Sequence, residues 1–130
     1  MVVPLIPIYS AAALAAAHTA FRDLLDAGPG AASLKIRSST DVLLAQVPLT
    51  DPCGTVSGIT GQLTLTAAGR DEAANASGVA AYAEFCDSNG LVHLALPTQA
   101  GGAAVSGFAM LNTLTIVAGG PAELVSAAVG

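Results

Sequence analysis

Cys86 and His93 are the two residues of this sequence whose types and spacing most invite a chemical reading. They sit in "EFCDSNGLVHL", residues 84–94, on either side of a tight-turn signal. A thiol and an imidazole meeting across a hairpin would form a base-activated nucleophile or half of a metal site. Whether they meet depends on register. A two-residue Asn89-Gly90 turn sets Cys86 opposite His93 and Phe85 opposite Leu94. A three-residue Ser88-Asn89-Gly90 loop, with Gly90 left-handed, sets Cys86 opposite Val92 and Phe85 opposite His93. Even in the first register the pair offers two ligands where a structural zinc site takes four. The only other cysteine and histidine, Cys53 and His18, stand alone in the sequence. A reactive thiolate further needs a lowered pKa and a third group to orient its base, and no oxyanion cradle adjoins the pair. The segment therefore reads as strand, turn, strand, with Asn89 and Gly90 as the structural turn and no catalytic, metal or cofactor-binding residue.

The remaining candidates weaken in the same way. Asp71 and Glu72 are adjacent in a polar stretch and lack the apolar pocket that would separate the pKa values of an acid and a base. "GGAAVSG" has glycines without phosphate-loop spacing, and Asn75-Ala76-Ser77 matches a glycosylation sequon that matters only in a secreted eukaryotic protein. Two cysteines permit one disulfide, but sequence leaves open whether Cys53 and Cys86 approach within bridging distance. His18 and Arg22, one helical turn apart, are read as facing solvent.

These residues must be positioned by a single domain, 1–130, in three parts. Residues 1–9, "MVVPLIPIY", carry Pro4 and Pro7, which remove amide donors and favour an extended arm. The opening resembles an export signal but lacks a basic n-region. It is read instead as an apolar arm that must lie on something, either its own domain or, with Val2, Val3, Pro4, Leu5, Ile6, Pro7 and Ile8 as an interface, a neighbouring subunit. Residues 10–27 predict a helix: Ser10 can cap it, Leu14, Ala17, Phe21, Leu24 and Leu25 recur at helical spacing, and Gly28-Pro29-Gly30 ends it.

From Ala32 onward the period changes to two. "SLKIRS", "VLLAQVPL" and "GQLTLTA" alternate apolar with polar residues and predict strands, whereas "TDPCGTVSGITG" and "AGRDEAANASG" read as loops. "GVAAYAEFC" and "LVHLAL" flank the turn already described, and "QAGGAAVSG" is a further break. Two more strands are expected in the final stretch, with Gly119-Gly120-Pro121 turning between residues 115–117 and 124–125. The expected architecture is mainly β: a small antiparallel β-sandwich or barrel of about six to seven strands over 32–130, with one N-terminal α-helix.

Composition narrows the class of function. Apolar residues make up 53% of the 130 residues but aromatics only 4%, so the core is built from small and aliphatic side chains. Four Lys and Arg against nine Asp and Glu give a net charge of −5. With no basic cluster, direct nucleic-acid binding is not expected. Charged residues total 10%, well below the roughly 25% of an ordinary soluble protein. Much of the surface is then small, hydroxylated or apolar, a composition suited to contact with copies of itself or a larger partner. No uninterrupted apolar run is long enough for a membrane span.

The segments "ASGVAAYAEFCDSNG" and "LNTLTIVAGGPAELVSAAV" together resemble a family of small proteins encoded among the virion genes of tailed bacteriophages. Members pair an Ala-rich N-terminal helix with an "LSDP"-like segment, a strand ending in "DSDG" and a closing "LN(T)xxIxAG". The corresponding pieces here are "AAALAAAHTAFRDLL", "LTDP" at 49–52, "CDSNG" at 86–90 and "LNTLTIVAG" at 111–119, in order over nearly the whole chain. An aromatic usual in the strand before the turn is matched only by Tyr82. The resemblance implies no active site and no cofactor. It implies a non-enzymatic virion protein made in the bacterial host cytoplasm, foremost a capsid decoration or cement protein. Such a protein would bind the major capsid protein lattice on the capsid exterior as a homo-oligomer. A neck, tail or fibre-associated protein, or a free surface-binding β-sandwich module, are the alternatives. The last would call for an exposed aromatic platform, for which two Tyr and three Phe are a thin supply.

Overall fold

Helix α1 spans Ala11–Asp26, and its ends follow from local chemistry. Ser10 is extended, and its hydroxyl accepts the Ala13 N–H at 3.1 Å, satisfying one amide that has no partner within the first turn. The structure, a computed structural model, describes residues 9–130, so Val2, Val3, Pro4, Leu5, Ile6, Pro7 and Ile8 of the expected arm lie outside the described residues. The inward face of α1 differs from expectation. Leu25 is fully buried and Leu14, His18 and Phe21 are half-buried, whereas Ala17 and Leu24 are exposed. Leu14, His18, Phe21 and Leu25 step by four, three and four residues, which is the 3.6-residue stripe. His18 belongs to it and does not face solvent, a correction that follows from its place on the stripe and not from its polarity.

Seven strands close into a barrel: β1 (Ser33–Arg37), β2 (Leu43–Val56), β3 (Leu63–Ala67), β5 (Tyr82–Cys86), β6 (Val92–Ala100), β7 (Ala109–Leu111) and β9 (Leu124–Val129). Their order around the ring is β1-β2-β3-β9-β7-β6-β5, and β1 pairs with both β2 and β5. Closure removes the edge strands that a sandwich would leave. Two short strands, β4 (Gly78–Val79) and β8 (Thr115–Ile116), form a separate antiparallel ribbon.

The chain is thus mainly β with one helix, as its periodicity predicts, and of the two expected forms it takes the barrel. Two details are corrected and a third is refined. The barrel is mixed, because β6 and β7 run parallel with Thr98 opposite Ala109. The Gly-containing loop 101–108 carries the chain back past the end of β6, so it re-enters in the same direction. Second, residues 50–56 of the expected loop belong to β2. Leu49 faces Ala67 and Gly54 faces Leu65, so residues 50–53 bulge opposite Thr66, and Pro52 sits where the ladder demands no amide donor. Third, the expected turn between the last two strands is present, with the Gly120 N–H donating to the Val117 carbonyl at 2.8 Å and Gly119 at φ +80°, but those strands do not pair with each other: β8 pairs with β4, and β9 pairs with β3 and β7.

The core is one cluster. Leu34 and Ile36 of β1, Leu44 and Val47 of β2, Leu63 and Leu65 of β3 and Phe85 of β5 are buried together, with Leu25 of α1 in the same cluster. The helix rests mainly on β2, where Asp26 Oδ1 accepts the Cys53 N–H at 2.9 Å and so ties the helix end to the bulge.

Candidate functional site

The β5–β6 hairpin combines both registers that its sequence allows. The Gly90 N–H donates to the Asp87 carbonyl at 2.9 Å, the Asp87 N–H donates to the Leu91 carbonyl at 3.0 Å, and Gly90 takes φ +85°. This is the three-residue loop, and it puts Cys86 opposite Val92. One rung later Phe85 faces Leu94, so His93 is an extra residue bulged out of the ladder. Cys86 and His93 are therefore not cross-strand partners. The His93 Nε2–H instead donates to Asp87 Oδ2 at 3.0 Å, with both side chains about nine-tenths buried.

Asp87 is the residue that sequence reasoning missed, although an Asp opening a D-S-N-G turn was the available signal. Its Oδ1 accepts the Asn89 and Leu91 N–H groups, each at 3.0 Å. The hydrogen bond from His93, followed by those from the backbone, holds the Asp87 carboxyl below its ordinary 3.8. Because the folded value is depressed, Asp87 contributes stability that is present above pH ~4 and is lost as pH falls through the native value. Asp87→Asn is therefore expected to unfold more easily than wild type at pH 6–7, with the difference shrinking below pH ~4. Urea titrations at several pH values measure this, and a difference that stays constant down to pH 3 contradicts it.

Neither thiol is set up as a nucleophile. Cys53 and Cys86 are both free and fully buried. Burial pushes the Cys53 thiol up to about 12, and burial likewise raises that of Cys86. At pH 8 both are expected to resist Ellman's reagent in the native protein and to react fully in denaturant. Stoichiometric labelling of the native chain at a rate near that of a free thiol would contradict this.

The other candidates are committed to structure. Asp71 accepts the Gln46 N–H at 2.9 Å and the Ala73 N–H at 3.0 Å, while Glu72 pairs with Arg70 at the surface. Among the described residues no three His, Cys, Asp or Glu side chains gather as a metal's ligand set. Nor is any described helix long and apolar enough to cross a membrane.

His18 and His93, remote in sequence, do converge. Both line a cavity of about 300 Å³ between α1 and the barrel, with Phe21, Leu63, Leu94 and Val129 supplying nearly apolar walls. His18 Nδ1 lies 2.6 Å from the Gly61 carbonyl oxygen and so must carry the proton it donates. Gly61, at φ +76°, passes so close beneath the first turn of α1 that a Cβ there would lie 2.6 Å from the Ala11 carbonyl oxygen. This close approach delivers the carbonyl to the imidazole. No signal in the local sequence of either histidine foretells the meeting, because it depends on how the helix docks.

No protein-family model, curated protein or solved structure matches the chain.

Proposed function

We propose that this chain is a non-enzymatic structural protein of a tailed-bacteriophage virion, foremost a decoration or cement protein that binds the major capsid protein lattice. The observation that carries the reading is the surface. On the β4–β8 ribbon Val79 is 62% exposed opposite an exposed Thr115, and Val117, directly after β8, is 60% exposed. Ile59 at 88% and Leu91 at 62% add further bare aliphatic groups to a chain in which charged residues are only 10%. Water-exposed aliphatic side chains beside few charges suit a surface that is covered in an assembly. The buried thiols and the structurally committed carboxylates leave little for catalysis.

The test is the copy number of this chain per major capsid protein in purified virions of the phage that encodes it, by quantitative mass spectrometry. A ratio near one supports lattice decoration. A few to a few dozen copies move the protein to the neck, tail or vertices, and absence from the particle overturns the virion reading. The apolar segment from Val2 to Ile8 enters as an attachment arm. Deleting residues 1–8 is expected to lower capsid occupancy at least several-fold while the remaining chain keeps its circular dichroism spectrum, and unchanged occupancy contradicts the arm.

A further inference from the structure

The cavity between α1 and the barrel is a candidate binding site and does not depend on the virion reading. Two imidazoles line it, and each is anchored by one nitrogen: His18 through Nδ1 to the Gly61 carbonyl at 2.6 Å, His93 through Nε2 to the Asp87 carboxylate at 3.0 Å. An acceptor on one ring nitrogen fixes the proton there, so in the neutral ring the other nitrogen carries the lone pair. The nitrogens left over are His18 Nε2 and His93 Nδ1. Neither makes a hydrogen bond among the described residues. Asp87 is itself fixed by two backbone amides, so His93 is oriented by a group that cannot swing away.

The remaining walls are Phe21, Leu63, Leu94 and Val129. An apolar cavity of about 150 Å³ suffices for benzene. This one, about 300 Å³ and partly open to solvent, has room for a substituted ring. Two anchored acceptors in an apolar cavity match a molecule with an apolar body and a hydroxyl. With the rings neutral they do not suit a carboxylate, which offers no donor, and two ligands are too few for a lone metal ion.

We propose that this cavity binds a small neutral phenol or alcohol, its ring or alkyl body against Phe21, Leu63, Leu94 and Val129 and its hydroxyl donating to His18 Nε2 or His93 Nδ1. The shape of the cavity alone would admit a hydrocarbon. What the histidines add is discrimination, because a hydrocarbon leaves the acceptors unpaired once water is displaced.

The experiment compares p-cresol with toluene, which share a ring and differ by the hydroxyl, in titrations of the full chain at pH 8 followed by NMR. Saturable p-cresol binding is expected, about tenfold tighter than toluene. Shifts should be confined to residues of α1, β3, β6 and β9 around the cavity, including the side-chain nitrogens of His18 and His93. The preference is expected to fall to near unity in the variant His18→Phe or His93→Phe, whichever ring holds the hydroxyl. Equal affinity for both compounds, no saturable p-cresol binding, shifts located elsewhere, or a preference that survives in both variants overturns the proposal. Should a variant fail to fold, the wild-type comparison and the histidine nitrogen shifts remain decisive.

Discussion

Truncating Phe85 to alanine is expected to cost about 3–5 kcal/mol and to lower the thermal midpoint by roughly 10–20 °C. Phe85 is the largest fully buried side chain, in a core otherwise made of Leu, Ile, Val, Ala, Cys and Met. It sits on β5 between Leu34 of β1 and Leu94 of β6, in the stretch where the ring closes. Its loss leaves a hole that neighbours cannot fill, because each is pinned in a ladder with partners on both sides. Partial collapse is what spares other proteins the full cost of such a change, and a closed barrel offers little of it. Against a total stability of about 5–15 kcal/mol, the loss is a large fraction of what holds the domain together. Urea denaturation measures it directly. The midpoint should fall at nearly constant slope, whereas Val79→Ala on the exposed ribbon should stay within about 0.5 kcal/mol of wild type. A Phe85→Ala loss below ~1 kcal/mol would mean that the ring is far more compliant than its pairing implies.

Which parts of this fold are legible in the sequence follows from the range of the interactions that form them. Leu34 and Ile36 alternate with Lys35 and Arg37, and the two apolar residues are fully buried, so period two sufficed for β1. Ser10 and the glycines after Ala27 likewise act within a few residues of themselves and locate α1 to within a residue of its observed ends. The second half of β2 was obscured because Pro52 and Gly54 are residues that usually break strands, and only the distant partner β3 shows that a bulge accommodates them. β7 is three residues long and buried throughout, so it shows no alternation to detect. Its parallel seam with β6 joins segments separated by a loop whose path no local pattern encodes.

The candidate site divides in the same manner. The turn at Asn89 and Gly90 is local chemistry and can be read directly. The two registers legible in the sequence offer His93 either Cys86 or Phe85; it pairs with neither, because each register is realised on one side of a bulge that leaves its ring bonded to Asp87. His18, read with Arg22 as facing solvent, is spaced from Leu14, Phe21 and Leu25 so that it falls on the inward stripe. The convergence of the two imidazoles on one cavity is tertiary in origin: it needs the helix laid across the barrel and Gly61 pressed against the helix's first turn.

Gly54→Ala is expected to be the most damaging of the conservative substitutions, at about 1–3 kcal/mol or more for a single added methyl. Gly54 lies at the rung of β2 that faces Leu65 of β3, immediately after the bulge of residues 50–53. A Cβ there would overlap the Thr64 carbonyl oxygen and lie 3.0 Å from the Thr64 carbonyl carbon and 3.1 Å from the Leu65 Cα. All three are backbone atoms, so no rotamer change relieves the contact and β3 must move away from β2. In an open sheet an outer strand could swing aside. Here β3 is also bound to β9, with Leu65 opposite Ala127, so the displacement has to pass around the ring or break a ladder. Gly69→Ala separates this steric effect from the general consequence of replacing glycine. Nothing lies within 4 Å of the position its Cβ would take. There the smaller conformational entropy of the unfolded chain should leave stability unchanged or raised by about 0.4–1 kcal/mol. Opposite signs at the two glycines in parallel urea titrations, with faster amide exchange at Thr64, Leu65 and Ala127 in Gly54→Ala alone, are the expected result. Equal effects at both positions would mean that the β2–β3 contact is looser than the ladder requires and that the strands can part without opening the barrel.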